Sequence, residues 1–260
     1  TGSIRANGDS GGSIRVEAVE AIRNTGVIEA RALAADQAPP SAPGASVAER
    51  DASQGGTVAL SARRVENSGR IDVSAAPALP GKPSSRGGRI QVTAAQVLND
   101  GSLAASGAVR NSGVIEARGL NGAGGSVRIT SGDRVEQSSS GRIDVSAQLA
   151  VAIEGAPALS VPAAPAQGGS VVINAPRIVA EGGIDARAID PHEPVLDDSL
   201  TSRSSGTGGE IRLIADDTQL RNLTLDVSGA AAGGRIMMRL PQPGERIAQA
   251  ETGITPSQPV

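Results

Sequence analysis

The sequence predicts an all-β fold, a right-handed parallel β-helix: a solenoid of about seven or eight rungs with loop insertions at one phase. Three observations predict it. A segment typified by Gly55 to Ser74 recurs along most of the 260 residues. Within it apolar and polar residues alternate with period two: Val58, Leu60 and Ala62 against Thr57, Ala59 and Ser61, then Ile71 and Val73 against Arg70 and Asp72. That is the pattern of strands with one buried face. Finally, the chain has no Phe, Tyr or Trp, so its core must be narrow enough for Val, Ile, Leu and Ala to fill, as in turns that stack like residue on like. No segment keeps the i, i+3, i+4, i+7 apolar stripe that a helix requires.

Each unit opens on a glycine pair: Gly11-Gly12, Gly55-Gly56, Gly87-Gly88, Gly124-Gly125, Gly168-Gly169, Gly208-Gly209 and Gly233-Gly234. One residue later comes an inward-facing apolar pair, namely Ile14/Val16, Val58/Leu60, Ile90/Val92, Val127/Ile129, Val171/Ile173, Ile211/Leu213 and Ile236/Met238. A small residue usually follows two places on, as at Ala62, Ala94, Ser131 and Ala175, and suits a tight corner. The second half of a unit is a further apolar alternation interrupted by a polar turn: Ile22 to Ala30, Val65 to Val73, Val97 to Ala105, Val135 to Val145, Ile178 to Ala186 and Leu220 to Val227. The turn is often Asn-x-Gly, at Asn24, Asn67, Asn99 and Asn111. Asn tolerates left-handed backbone and can stack its amide on the next Asn, and Gly supplies positive φ. Val109 to Ala117 repeats this second half without a glycine pair of its own, and reads as an incomplete extra rung.

The insertions, Leu33 to Gln54, Ala75 to Arg86, Gln148 to Gln167 and Ile189 to Thr207, are rich in Ala, Pro, Ser or Gly. They read as loops leaving one edge of the solenoid. Residues 1–240 form the repeat domain, and 241–260, which lose the pattern, a poorly ordered tail. Strands stacked every ~4.8 Å make a rod on the order of 35 Å long. The right hand follows from the handedness of connections between parallel strands. An uncapped array of this kind is expected to associate end to end.

Units such as Gly55 to Ser74, Gly87 to Ala105 and Gly124 to Ser146 resemble the repeats of filamentous haemagglutinin-type exoproteins, over roughly Gly11 to Leu240. The resemblance implies a right-handed parallel β-helix and export by two-partner secretion through an outer-membrane transporter. It also implies a place at the bacterial cell surface or in the medium, in adhesion, biofilm or cell contact, with surface glycans or proteins as partners.

A net charge of −3 with interspersed Arg, and no stacking aromatics, argues against nucleic acid. No run approaches the length of a membrane helix. Without cysteine there is neither a disulfide frame nor a thiolate metal site, which fits a cytosolic protein or a secreted bacterial one. No cofactor is expected.

Four sets of residues are candidates for chemistry. An acidic residue sits between the inward residues of the last strand of each unit, at Glu29, Asp72, Glu116, Asp144, Asp185 and Asp226. Aligned, these make an outward ladder. Two of them a rung or two apart could serve as the acid and base of a polysaccharide-cleaving enzyme, or several could ligate a cation. Arg70 and Arg142, two residues ahead of Asp72 and Asp144, point instead to a solvated ladder of charge pairs. Asp190, His192, Glu193, Asp197 and Asp198 gather possible metal ligands in one insertion, but match no ligand spacing and read as an acidic loop. His192, the single histidine, leaves Ser-His-Asp catalysis one loop-borne base. Arg15, Arg128, Arg212, Arg235 and Arg239 make a basic, hydroxyl-bearing outward face able to engage acidic glycans, or simply to keep stacked strands soluble. Gly119 to Gly125 precedes a strand, not a helix, and is a turn, not a phosphate loop. The expected function is that of a non-catalytic adhesive shaft, with a carbohydrate-active enzyme or a cation-stabilised solenoid as alternatives.

Overall fold

The computed structural model describes residues 2–33, 54–76, 85–97, 103–104, 106–120, 122–148, 166–189 and 206–241. Every regular element among them is a strand, and no helix occurs. The first strands of the units, Ser13–Glu17, Thr57–Ala62, Arg89–Ala94, Ser126–Ser131, Ser170–Asn174, Glu210–Ile214 and Arg235–Arg239, form a seven-stranded parallel sheet in chain order. Second strands, such as Ala21–Asn24, Arg64–Asn67 and Arg134–Gln137, and third strands, such as Val27–Glu29, Arg70–Asp72 and Arg142–Asp144, stack in the same parallel manner. In the last two full units the second and third strands run together as Arg177–Asp185 and Asp217–Asp226, with a register shift between Ala180 and Gly182. The two columns thereby join in one 11-stranded sheet.

Register lays like on like. Val58 pairs with Ile90, Ile90 with Val127, Val127 with Val171 and Val171 with Ile211. In the third column Ile28, Ile71, Ile115, Ile143 and Ile184 follow one another. These inward residues make one continuous core, in which Ile71, Ile90, Ile143 and Ile211 are fully covered. With no aromatic side chain to span it, the core closes by direct backbone contact at one end of each unit. The second glycine of each pair donates its N–H to a carbonyl just past a third strand: Gly56 to Ala30 at 2.7 Å, Gly88 to Val73 at 2.8 Å, Gly125 to Ala117 at 2.7 Å and Gly209 to Ala186 at 2.8 Å. A Cβ on Gly88 would strike the Gly56 carbonyl, so this approach requires glycine.

The Asn-x-Gly turns form a buried amide ladder. Asn24 Nδ2 donates to Asn67 Oδ1 at 2.8 Å, Asn67 Nδ2 to Asn111 Oδ1 at 2.9 Å, and Asn111 Nδ2 to Gln137 Oε1 at 3.4 Å. Gln137, whose next partner in the column is Ala180, sends its amide to the Glu181 carbonyl at 2.9 Å. The turns do not use left-handed backbone as expected. Among the described residues only Asn222, Gly107 and Gly182 have positive φ. Gly26, Gly69 and Gly113 are needed because a Cβ on each would meet the carbonyl of the corresponding glycine one unit back.

The third unit departs from the sequence expectation. Its second and third strands are Ala108–Asn111 and Val114–Glu116, which pair on both sides with their counterparts in neighbouring units. Val109 to Ala117 is therefore the regular second half and not an extra rung. The segment expected in that place, Val97 to Ala105, instead holds Gln96–Val97 paired antiparallel to Leu103–Ala104. It is an insertion at a second phase, between first and second strands. The four other insertions do share one phase: the residues before them, such as Ala147 and Ala188, are paired, as are the residues after them, Gln54, Arg86, Gln167 and Thr207, through Ala123. Residues 34–53, 77–84, 149–165, 190–205 and 242–260 lie outside the described residues.

Candidate functional site

The six acidic residues form one column, paired Glu29 to Asp72, Asp72 to Glu116, Glu116 to Asp144, Asp144 to Asp185 and Asp185 to Asp226. Four of them are buried and not solvated as expected, while Glu29 and Asp226, at the two ends of the column, are half-buried. Asp72 is 0% exposed, Asp144 3%, Asp185 8% and Glu116 9%. The chain turns a corner just beyond each carboxylate, and arginines lie over it. Asp72 Oδ1 accepts the Ser74 N–H at 2.9 Å, Asp144 Oδ1 that of Ser146 at 3.0 Å, Asp185 Oδ1 that of Arg187 at 3.0 Å and Asp226 Oδ1 that of Ser228 at 2.9 Å. This is an Asx-type corner, the short side chain capping the backbone two residues on. Where the acid is Glu, another side chain takes over: the Arg31 N–H goes to Asn7 Oδ1 at 2.9 Å and the Arg118 N–H to Ser74 Oγ at 3.2 Å.

The other carboxylate oxygen meets guanidinium groups, several of which bridge neighbouring units. Arg70 contacts Asp72 at 2.8 Å and also Glu116. Arg142 lies 3.1 Å from Asp144 and 3.6 Å from Asp185, and Arg187 lies 2.6 Å from Asp185 and 3.4 Å from Asp226. Arg31 adds a contact to Asp72 at 3.4 Å. Burial works against the charge of Arg70, but Glu116 and then Asp72 outweigh it and hold its pKa above the ordinary value. Arg187 is raised by its hydrogen bonds to Asp185 against the cost of burial. Asp226 is opposed by burial, yet the Ser228 N–H and hydroxyl and the Arg187 charge hold it below the usual carboxylate range. The pairing of Arg70 and Arg142 follows from their positions two residues ahead. Arg31 and Arg187 stand two residues behind a carboxylate, and their signal in the sequence is Glu-x-Arg and Asp-x-Arg.

The basic face is divided. Arg15, Arg128 and Arg212 share one outward column of the first-strand sheet, with Ala59, Gln91 and Val172 between them. Arg15 pairs with Glu17, and Arg212 with Glu210 at 2.8 Å. Arg235 belongs to the neighbouring column of Arg89 and Glu210, and Arg239 to that of Glu17.

Sequence reasoning treated the glycine pairs as strand openings only. They also floor an open groove of about 880 Å³ that runs across the units from Gly55-Gly56 to Gly233-Gly234. Its rims are the residues flanking each pair: Gln54, Arg86 and Gln167 on one side, and Thr57, Arg89, Ser126, Glu210 and Arg235 on the other. The polar flanks of each Gly-Gly were the signal. Among the described residues Glu210 is the one carboxylate lining this groove, and it is paired with Arg212. Among the described residues the groove and the acidic column are thus separate, and the groove brings together no acid and base.

Asp190, His192, Glu193, Asp197 and Asp198 lie outside the described residues. Among the described residues no cluster of three or more His, Asp or Glu side chains is arranged to hold a metal ion, and guanidinium groups bridge Asp72 to Glu116, Asp144 to Asp185 and Asp185 to Asp226. No family model, no curated protein and no solved structure matches the chain.

Proposed function

We propose that the stacked units wind as a right-handed parallel β-helix, and that this solenoid is a non-catalytic, adhesive shaft segment of a secreted bacterial surface exoprotein of the filamentous haemagglutinin type. On this proposal the chain is exported through an outer-membrane transporter and meets surface glycans or proteins of other cells. The observation that carries the proposal is the engagement of the carboxylates. The four Asp side chains each cap their own corner and each meet an arginine, so all four are committed to holding the stack. The order of the strands adds support: within its sheet each first strand pairs only with the first strands of the units before and after it, so the stack grows unit by unit. Such a body supplies reach, and the common edge from which four insertions depart supplies a place for contacts.

The test is to incubate the purified chain with host and bacterial cells, with immobilised sulfated and sialylated glycans, and with soluble polysaccharides. Retention on cells or glycans without release of new reducing ends is the expected result. Release of oligosaccharides would overturn the non-catalytic assignment, and absence of retention on any surface would overturn the adhesive one.

A further inference from the structure

The third strands are of two kinds, and the kinds alternate. Around each carboxylate the chain reads Val-Ile-Glu-Ala-Arg at 27–31 and again at 114–118, and Arg-Ile-Asp-Val-Ser at 70–74 and again at 142–146. Gly-Ile-Asp-Ala-Arg at 183–187 and Thr-Leu-Asp-Val-Ser at 224–228 continue the alternation of Ala with Val and of Arg with Ser. Among these six, each strand pairs only with strands of the other kind. First strands make no such distinction, since Val58/Leu60, Ile90/Val92 and Val127/Ile129 present the same large aliphatic pair to either neighbour. Nor do the turns, where Asn24, Asn67 and Asn111 are the same residue in the same ladder.

We propose that the third-strand column is a key that sets the order of stacking: a unit accepts only a neighbour of the other kind, so no single unit can be passed over as the array assembles. Near-identical units need such a key, because a strand whose partners look alike has a weakly specified place. The first argument is size. Ala30, Val73, Ala117, Val145 and Ala186 are all fully covered. They follow one another up the ladder, each N–H donating to the carbonyl of the acid one unit on, so that small lies against large throughout. Passing over one unit sets Ala30 on Ala117 and leaves space unfilled, or sets Val73 on Val145 and crowds the same place.

The second argument is charge. Ahead of the acids, Arg70 and Arg142 stand in a column with Val27, Val114 and Gly183. Behind the acids, Arg31, Arg118 and Arg187 alternate with Ser74, Ser146 and Ser228. In neither column does one arginine lie directly on another, and each carboxylate from Asp72 to Asp226 has an arginine on its own or the preceding unit to meet. Passing over the unit of Arg70 would set Arg31 on Arg118 and Glu29 on Glu116 at a strand spacing of ~4.8 Å, and would remove the guanidinium that reaches Glu116. Like charges directly opposite on paired strands destabilise them. Passing over two units restores unlike neighbours in both columns.

Two deletions test this, both cut so that Gln54 runs on into a glycine pair. Deleting 55–86 removes one unit and lays 27–31 on its identical copy at 114–118. Deleting 55–123 removes two and lays 27–31 on 142–146, the pairing that 114–118 makes in the whole chain. Were the units interchangeable, stability would fall with each unit removed. The amide ladder, which keeps Asn next to Asn only in the one-unit deletion, would favour that deletion as well. The key predicts the reverse order: the two-unit deletion unfolds at the higher urea concentration. A one-unit deletion that is equally or more stable would overturn the proposal. Substitutions answer the question even where a shortened chain does not fold. Arg70→Val with Ser74→Arg moves one guanidinium to the other side of Asp72, between Arg31 and Arg118. It is expected to lower the urea midpoint more than Arg70→Val with Ser74→Gln, which adds length without charge. With Arg31→Ser and Arg118→Ser added to both, that difference is expected to vanish or reverse. Equal midpoints for Arg and Gln at position 74, or a difference that persists without the flanking arginines, would overturn the key.

Discussion

Asp144 shows how one side chain serves two levels of structure. Its Oδ1 accepts from the Ser146 N–H and, at 2.6 Å, from the Ser146 hydroxyl, while Oδ2 meets Arg142. Replacing it with Ala leaves a buried N–H and hydroxyl without an acceptor, at a cost of about 1–3 kcal/mol. Asp144→Asn keeps an acceptor oxygen and is expected to cost clearly less. Urea denaturation of both variants checks the order, and equal losses would assign the effect to charge alone. Asp226 carries a pH dependence whose sign follows from its lowered pKa. The fold favours its ionised form, so its contribution is complete above the ordinary carboxylate value of about 3.9 and is lost as pH falls through the lower folded value. Thermal stability is therefore expected to be level in this respect from neutrality to about pH 5 and to fall below about pH 4. Asp226→Asn is expected to flatten that fall, which melting curves against pH will show.

At the scale of the element, the glycine pairs decide where two strands meet with nothing between them. A Cβ on Gly88 has the Gly56 and Gly55 backbone in its way, and no flexible side chain can yield. Gly88→Ala is expected to cost more than about 4 kcal/mol or to prevent folding. Gly183 lies in a strand, has no atom within 4 Å of an added Cβ, and is not in the left-handed region. Gly183→Ala is expected to stabilise by about 0.4–1 kcal/mol through the unfolded chain. Denaturation midpoints measured side by side would reject the steric account if the two substitutions behaved alike.

Across the whole molecule, neighbouring units are held together through apolar and ionic columns and, from Asn24 to Gln137, through an amide column as well. Stability in such an array is a sum of unit and interface contributions, so the middle units, covered on both sides, are the most protected. Hydrogen exchange is expected to be slowest at Ile90, Ile129 and Ile173, and to quicken toward Ile14 at one end and Ile236 at the other. Uniform protection along the stack would show all-or-none unfolding instead.

The recurrence of Gly-Gly and the period-two alternation determined, from sequence alone, the all-β class, the inward residues of the first strands and the shared phase of four insertions. All of these are properties of single strands, and an alternation with one buried face leaves a strand little choice of orientation. The ladder of Asn24, Asn67 and Asn111 was legible for the same reason. Tertiary structure alone decided which of two similar segments completes the third unit. Val97-Leu98-Asn99-Asp100-Gly101 and Val109-Arg110-Asn111-Ser112-Gly113 carry the same local signal, but Asn111 finds the Asn67 amide and Val109 the Val65 and Val135 strands. It also decided that carboxylates pointing away from the core are nevertheless buried, since their cover comes from corners and from arginines of adjacent units. Alternation reports the direction of a side chain; only the stacking of units determines what lies over it.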